Sequence, residues 1–208
     1  MEAHCDWLHL DVFDGVAVPN LSFGPGFVAA LRPHSRLLFD VHLCVARPQH
    51  LLQPLLAAGA GQISFHPAAL GTPGETRDAA VAELVTAITA GGARAAVSLA
   101  PDEAAEDAAA AVAAGAACVN VLCVTPGFGG QRMQPSALNT VRRLRLLYPR
   151  LDICVDGGVA EDTIGAAAAA GANSFIAGTA VFGAADPGAA AARLKRLAEE
   201  AQQRTAQP

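Results

Sequence analysis

Lysine is almost absent from this 208-residue chain, in which Lys195 is the only one. A Schiff-base aldolase needs a lysine amine at its reacting centre, and Lys195 lies in a predicted C-terminal helix far from any predicted strand. Enzymes that pair a lysine with a carboxylate are excluded for the same reason. No glutamate follows a predicted strand either, because all eight glutamates lie near the N-terminus, in loops or on helices. The chemistry that remains is metal-assisted proton transfer with two aspartates.

Long apolar runs and basic clusters are also missing. Although 52% of the residues are hydrophobic, no run approaches the roughly 18 consecutive apolar residues of a membrane span. The net charge of −5, without a basic cluster, argues against nucleic acid as a partner. The five cysteines are scattered without C-x-x-C spacing, which is typical of a reducing compartment, and the N-terminus carries no export or transit pattern. We expect a cytoplasmic enzyme that binds neither membranes nor nucleic acid.

Strand-like and helix-like segments alternate along the whole chain. Seven apolar runs predict parallel strands covered on both faces: Trp7–Phe13, Leu37–Leu43, Gln62–His66, Ala95–Leu99, Cys118–Val124, Asp152–Val155 and Ser174–Ala177. The predicted helices are Gly26–Leu31, Pro48–Ala58, Thr76–Ala90, Asp102–Ala114, Pro135–Leu147, Glu161–Ala170 and Gly188–Gln202. A repeated βα unit of this size indicates either a (β/α) barrel or a doubly wound sheet.

The number of units is one short of a closed barrel, which needs eight. We expect residues 1–208 to form a single domain, a TIM (β/α)8-type barrel that lacks its first βα unit, because the chain opens almost directly into a strand. An opened barrel would leave two unpaired strand edges and expose interior apolar surface. The sequence is therefore interpreted as N-terminally truncated, in preference to a barrel whose gap is covered by a partner.

Histidine and aspartate stand at or near three of the predicted strand ends. His9 and Asp11 point to the same face of one strand, because side chains alternate along a strand, and His42 and Asp156 occupy comparable places on two others. A single strand histidine is usually a packing residue, but buried carboxylates need compensation, which a divalent cation would supply. This mixed nitrogen and oxygen set predicts a site for Zn²⁺ first, with Fe²⁺, Mn²⁺ or Co²⁺ as alternatives.

Glycine-rich turns follow the last three predicted strands. They are Thr125–Gln131, which contains Gly127, Phe128, Gly129 and Gly130, then Gly157-Gly158, and then Gly178-Thr179. Each alone could be a simple tight turn. Glycine also lets backbone N–H groups approach a phosphate, and barrels often bind phosphate after their last strands. Three such turns in succession predict a phosphate site held by backbone, and the first turn could also act as a mobile lid.

These segments together resemble the ribulose-phosphate 3-epimerase family. The resemblance runs from about residue 5 to residue 187, in the family's order and spacing. It is carried by His9–Gly15 with Val18-Pro19-Asn20, Phe39–Leu43, Phe65-His66-Pro67, Thr125–Gln131, Val155–Val159 and Ala177–Phe182. It implies a metal-dependent TIM barrel that interconverts D-ribulose 5-phosphate and D-xylulose 5-phosphate. It also implies a phosphorylated ketose as substrate, and we expect a homo-oligomer.

Residue by residue, the resemblance places His9, Asp11, His42 and Asp156 on the family's metal ligands. Asp11 and Asp156 fall on its two acid–base residues, which exchange a proton at C3 through an enediolate. The substrate and phosphate contacts fall on this set: His42, Gly127, Phe128, Gly129, Gly130, Asp156, Gly157, Gly158, Gly178 and Thr179. His66 is interpreted as a packing residue or as a partner of a ligand, and the cysteines as small buried fillers.

The pocket wall departs from the family pattern. Phe13, Cys44 and Leu122 stand where the family usually has methionine, and Leu99-Ala100-Pro101 lacks the family's asparagine before proline. The changed wall leaves a different sugar open, such as allulose 6-phosphate. A non-catalytic barrel remnant that acts as a binding subunit and a metal-dependent aldolase are two further alternatives, which the full set of motifs disfavours.

Overall fold

Seven parallel β-strands organise the protein, whose computed structural model describes residues 2–206. The strands are β1 Trp7–Phe13, β2 Leu38–Cys44, β3 Gln62–Phe65, β4 Arg94–Leu99, β5 Cys118–Leu122, β6 Asp152–Asp156 and β7 Ser174–Ile176. They follow one another in the sheet in chain order. The architecture is an α/β fold of the TIM-barrel class, and all seven predicted strands are confirmed with ends within two residues of those predicted.

The helices alternate with the strands. They are α1 Pro25–Leu31, α2 Leu52–Ala57, α3 Glu75–Ala90, α4 Ala109–Ala113, α5 Ala137–Leu147, α6 Ile164–Ala170, α7 Thr179–Phe182 and α8 Pro187–Ala206. Short 3₁₀ turns lie at Glu2–His4, Arg32–His34, Pro48–His50, Pro67–Leu70 and Ala105–Ala108. Within residues 2–206 we find no helix that is both long and apolar enough to cross a bilayer.

Three predicted helices were wrong in their first turns, one of which was predicted from Glu161 and begins only at Ile164. The segment predicted as a helix from Pro48 begins as a 3₁₀ turn, and α2 starts only at Leu52, because Pro54 has no N–H to donate and is tolerated only in a first turn. In the helix predicted over Asp102–Ala114, only the first half is replaced by a turn and a 3₁₀ segment, and α4 begins at Ala109. In that turn the Ala100 N–H donates to the Glu103 carboxylate at 2.6 Å, which holds the backbone out of a helical path.

The chain forms two compact units. The first, called here the N-terminal unit, comprises residues 6–99 and 106–119 and contains β1–β4 with α1–α4. The second, called the C-terminal unit, comprises residues 2–5, 100–105 and 120–206 as far as the structure describes them, and contains β6, β7 and α5–α8. The organisation as one domain over residues 1–208 stays a prediction.

Strand β2 shows how the N-terminal unit places polar groups on one face. Phe39 and Val41 on one face of β2 are fully buried, and the Arg32 guanidinium lies 3.7 Å from the centre of the Phe39 ring. The alternate residues Asp40 and His42 are equally buried but face the other way. Apolar burial on one face therefore fixes the register that presents a polar row on the opposite face.

In the C-terminal unit, two backbone hydrogen bonds close the loop that follows β5. The Cys123 N–H donates to the Asp156 carbonyl at 2.7 Å, and the Gln134 N–H donates to the Cys123 carbonyl at 2.7 Å. The segment between residues 124 and 133 therefore leaves and returns at one point beside the end of β6. Behind it, the Arg145 guanidinium donates to three carbonyls at 2.8–2.9 Å: those of Pro149, Leu151 and Gly171.

Candidate functional site

Three side chains meet at the ends of β1 and β2 in the N-terminal unit. The register pairs Asp11 with His42, and His9 lies two residues before Asp11 on the same face of β1. The His42 Nδ1 is 2.8 Å from the Asp11 Oδ1, and the His9 Nε2 is 3.4 Å from that same oxygen. One potential ligand atom from each residue lies within 4.8 Å of the other two. The sequence-predicted His9, Asp11 and His42 are thus brought together.

His9 is held from behind by a buried carboxylate. The His9 Nδ1 lies 2.7 Å from the Asp40 Oδ2, and the other oxygen of Asp40 accepts a hydrogen bond from the Gln62 amide at 2.9 Å. Asp40 and Gln62 are 4% and 2% exposed, so water contributes little to this arrangement. Burial opposes ionisation of Asp40, but His9 and the Gln62 amide outweigh it and lower the pKa of Asp40. A carboxylate at Nδ1 fixes the tautomer in which Nε2 carries the lone pair that can bind a metal.

Asp40 and Gln62 lie behind His9 and are not found by inspection of strand ends. They lie one layer deeper than the strand ends, where the register pairs His9 with Asp40 and Asp40 with Gln62. A signal for Asp40 was present in the sequence, because it shares a strand face with His42 two residues later. Gln62 offered no comparable signal before the register was known.

His42 has a different partner behind it. Its Nε2 lies 2.9 Å from the Nε2 of His66, which follows the end of β3. Burial and the neighbouring His42 lower the pKa of His66 to about 3, so this ring is neutral near pH 7. Only one of the two facing nitrogens can carry the shared proton. The interpretation of His66 as a partner of a ligand agrees with this contact.

Asp11 is the accessible carboxylate of the group. Its side chain is 44% exposed, against 12% for His9 and 2% for His42. Partial burial works against the charged form, but hydrogen bonds with His42 and His9 outweigh it and hold the pKa of Asp11 well below its usual value. Asp11 is therefore an ionised oxygen donor that can also accept a proton from a molecule above the strand ends.

A second group of donors adjoins the first. His42, Cys44 and His66 are all buried, and one potential ligand atom of each lies within 4.8 Å of the other two. Burial and the carboxylates of Asp11 and Asp14 raise the pKa of the Cys44 thiol to about 12. Without a cation beside it, Cys44 is a neutral, inert thiol, as its interpretation as a filler predicts.

Three of the predicted residues of the C-terminal unit lie at the end of β6. Asp156 is the last residue of that strand, and Gly157 and Gly158 follow with φ angles of +100° and +67°. A Cβ on Gly157 would clash with the side chain of Val124, and one on Gly158 would clash with the backbone of Met133. These two positions require glycine on both conformational and steric grounds.

The other two glycine-rich turns are also in the C-terminal unit. In the turn Thr125–Gln131 the Gln131 amide donates to the carbonyls of Thr125 and Phe128, at 2.7 and 2.8 Å, which fixes the shape of a loop whose Phe128 ring is 59% exposed. Gly127 is buried in this loop, while Gly129 and Gly130 are exposed. Gly178 caps α7, so Thr179 begins a short helix that the sequence analysis missed because four residues show no periodicity.

The donor set of the N-terminal unit fits a divalent metal ion. It offers one ionised carboxylate and two imidazoles, and each imidazole forms a hydrogen bond with a partner behind it. Zn²⁺ and the other first-row divalent ions accept this mixture of nitrogen and oxygen donors. The group could therefore bind a metal ion, whose identity the donors alone do not determine.

Comparison with known proteins identifies one family. The family model described as the ribulose-phosphate 3 epimerase family matches residues 1–182. The cytoplasmic isoform of ribulose-phosphate 3-epimerase from Oryza sativa subsp. japonica is 42% identical over 202 residues, covering 96% of this chain and 86% of that protein. The ribulose-phosphate 3-epimerase of Mycobacterium bovis is 39% identical over 198 residues, covering 93% of this chain and 82% of its own length.

Solved structures agree on the fold. A 3-hexulose-6-phosphate synthase superposes with a TM-score of 0.68 at 24% identity, covering 94% of this chain and 88% of its own. KGPDC from Streptococcus mutans gives a TM-score of 0.69 at 19% identity, covering 95% and 87% of the two chains. At these identities the likeness shows a shared fold only. The chemistry has to be inferred from the residues at the strand ends.

Proposed function

Because the chain belongs to the ribulose-phosphate 3-epimerase family, we propose that it inverts C3 of D-ribulose 5-phosphate to give D-xylulose 5-phosphate. The observation that carries this proposal is Asp11, an ionised and half-exposed carboxylate between two histidines that are themselves held in place. An epimerase needs a base that reaches the substrate while its neighbours stay fixed, and Asp11 has that combination.

Inversion at C3 requires a proton to leave one face and another to arrive on the opposite face. In our proposal Asp11 removes the C3 proton and Asp156 returns a proton on the other side, with the roles exchanged in the reverse direction. Both residues end or nearly end a strand, β1 and β6 respectively, in keeping with catalytic groups of this fold class. A bound divalent ion would stabilise the negative charge that develops on the enediolate oxygens.

The proposed metal ligands are His9, Asp11, His42 and Asp156. The hydrogen bonds behind both histidines support the first three, and the position of Asp156 at the end of β6 supports the fourth. We favour Zn²⁺ because two imidazoles and two carboxylates suit its four-coordinate preference, with Fe²⁺, Mn²⁺ and Co²⁺ as alternatives.

The proposed substrate contacts combine His42 and Asp156 with the three glycine-rich turns. The turns supply Gly127, Phe128, Gly129, Gly130, Gly157, Gly158, Gly178 and Thr179. Backbone N–H groups that no Cβ shields suit a phosphate, and Gly178-Thr179 begins α7 after the last strand, where this fold class often binds phosphate. The exposed Phe128 ring would lie over the bound sugar.

Location and assembly are part of the same proposal. The rice relative is described as a cytoplasmic isoform, which supports a cytoplasmic location for this chain. Val16 and Leu21 in the loop after β1 are 75% and 74% exposed, an apolar surface that a homo-oligomer would bury. Light scattering after size-exclusion chromatography measures the assembly, and a monomer at micromolar concentration would contradict it.

The reaction is tested by hydrogen exchange at the carbon that reacts. The metal-loaded protein is incubated with D-ribulose 5-phosphate in D₂O, and deuterium at C3 is followed by NMR together with the appearance of D-xylulose 5-phosphate. We expect exchange and product with the wild type. Asp11→Asn and Asp156→Asn should each lose both, because an amide neither takes nor returns the proton.

The matched control is Asp162→Asn, which removes an exposed carboxylate six residues beyond Asp156 and should leave exchange unchanged. Allulose 6-phosphate is run in parallel, and faster exchange with that sugar would replace the proposed substrate. Cleavage products would indicate a lyase. A folded, metal-bound protein that exchanges neither sugar at C3 would refute the epimerase proposal.

A further inference from the structure

The donor group His42, Cys44 and His66, called here the thiol set, lies beside the proposed metal centre and shares one residue with it. Cys44 ends β2 two residues after His42 on the same strand face, and His66 directly follows the last register pair of β2 and β3, Leu43 with Phe65. All three residues are less than 9% exposed. We propose that the thiol set is a second metal-binding site, selective for thiophilic ions, that competes with the His9–Asp11 pair for His42.

The geometry of the thiol set is close to that of a ligand shell. One donor atom from each residue lies within 4.8 Å of the other two, and the His42 and His66 Nε2 atoms are 2.9 Å apart. Zinc binds sulfur at about 2.3 Å and nitrogen at about 2.0 Å, so such donors need shift little to surround an ion. Opposite His42 in the register lies Ser64, whose buried hydroxyl has no hydrogen-bond partner among residues 2–206.

The chemistry of the donors decides which ions would bind. A thiolate with two imidazoles favours Zn²⁺, Cd²⁺ or Cu⁺ over Mg²⁺ or Mn²⁺, which prefer oxygen. As the metal–sulfur bond forms, the Cys44 thiol proton leaves to solvent, so each ion bound releases one proton. The His9–Asp11 pair, which contains no sulfur, lacks this preference for thiophilic ions.

His42 makes the two sites exclusive because a neutral imidazole has one free nitrogen lone pair. If Nδ1 binds a metal beside Asp11, Nε2 keeps the ring proton and donates to His66. If Nε2 binds a metal in the thiol set, Nδ1 keeps the proton and donates to Asp11, at the observed distance of 2.8 Å. This competition rests on the proposed function, whereas the thiol set stands on its own donors.

Cobalt spectroscopy tests the thiol set directly. Metal-free protein is titrated with Co²⁺, and the near-ultraviolet thiolate-to-cobalt charge-transfer band is followed. We expect the band in the wild type and its loss in Cys44→Ser and in Cys44→Met, the second of which keeps an apolar side chain at this buried place. Cys5→Ser, which removes a half-buried thiol outside the set, should keep the band.

A second measurement separates this proposal from the catalytic one. His9→Gln removes a donor of the proposed catalytic centre and spares the thiol set, so the variant should keep the cobalt band even if it exchanges no deuterium. Cys44→Ser should weaken Cd²⁺ binding by about tenfold or more, since even groups behind a ligand typically contribute 10–100-fold to metal affinity. Absence of the band in the folded wild type, or its persistence in Cys44→Ser, would overturn the proposal.

Discussion

Asp40 is the residue whose replacement tests the metal centre most sharply. It is 4% exposed and contacts His9 at 2.7 Å and Gln62 at 2.9 Å. In Asp40→Asn the amide oxygen can still accept the His9 Nδ1–H. The amide nitrogen can donate to the Gln62 Oε1, which has no partner within residues 2–206, once Gln62 turns its amide over. The variant therefore keeps shape and hydrogen bonds and loses only the charge.

The loss of that charge acts on His9 as a ligand. A carboxylate behind a histidine raises its basicity and fixes its tautomer, and removing such a partner typically weakens metal binding 10–100-fold. This corresponds to about 1.4–2.8 kcal/mol of metal-binding free energy. Stability without metal should change less, because the loss of a charge-assisted bond, about 1.5–3 kcal/mol, is offset by the release of a buried charge from its desolvation cost.

Chelator competition measures the metal dissociation constant, and thermal unfolding with and without metal measures stability. The matched control is Asp107→Asn, which removes the charge of another carboxylate of the N-terminal unit, 2.9 Å from the guanidinium of the buried Arg77. That control should lower the free energy of unfolding and leave metal affinity unchanged. An unaltered metal dissociation constant in folded Asp40→Asn would refute the role given to this carboxylate.

The remaining predictions concern stability. A Cβ at Gly158 would clash with the Met133 backbone at a φ of +67°, so Gly158→Ala should lower the free energy of unfolding by more than about 2 kcal/mol. Gly165→Ala in α6, where nothing lies near the new Cβ, should raise it by about 0.5–1 kcal/mol; equal denaturation midpoints would contradict this contrast. Arg145→Lys should cost about 1–3 kcal/mol in a urea titration, because one ammonium cannot serve three separated carbonyls. Chelation should remove about 2.7 kcal/mol from protein saturated at about 100 times the metal dissociation constant, and a calorimetric scan that does not move would count against a bound metal.

The strands were predictable because each consists of consecutive, mostly apolar residues. β2 is buried on both faces, so its apolar run stands out from the polar segments beside it, and the same holds for β3 through β5. The helix starts were less predictable, since they depend on single groups such as the missing N–H of Pro54 and the carboxylate of Glu103. Those effects act on one turn at a time and leave no periodic pattern.

The residues of the candidate site were also predictable only in part. His9, Asp11 and His42 could be found because each lies at or near a strand end, where polar residues interrupt apolar runs. Asp40 and Gln62 lie behind His9. Their relation to His9 depends on the register of three strands, whose paired residues are more than 20 positions apart in the chain. Pairing across strands is a tertiary property that local patterns do not contain.

The two histidines of the N-terminal unit differ in what stands behind them, and this difference divides their roles. His9 has an ionised carboxylate at Nδ1, which holds one tautomer and makes Nε2 the stronger donor. His42 has the ionised Asp11 carboxylate 2.8 Å from Nδ1 and a neutral imidazole at Nε2. Asp11 favours a proton on Nδ1 while no metal is bound, and a metal bound beside Asp11 would move that proton to Nε2, on the side of His66. In the proposed centre, His9 and Asp11 would therefore be the permanent ligands and His42 the exchangeable one. His42 completes the proposed catalytic set. A thiophilic ion that binds His42 in the thiol set would therefore remove one ligand from the proposed catalytic set.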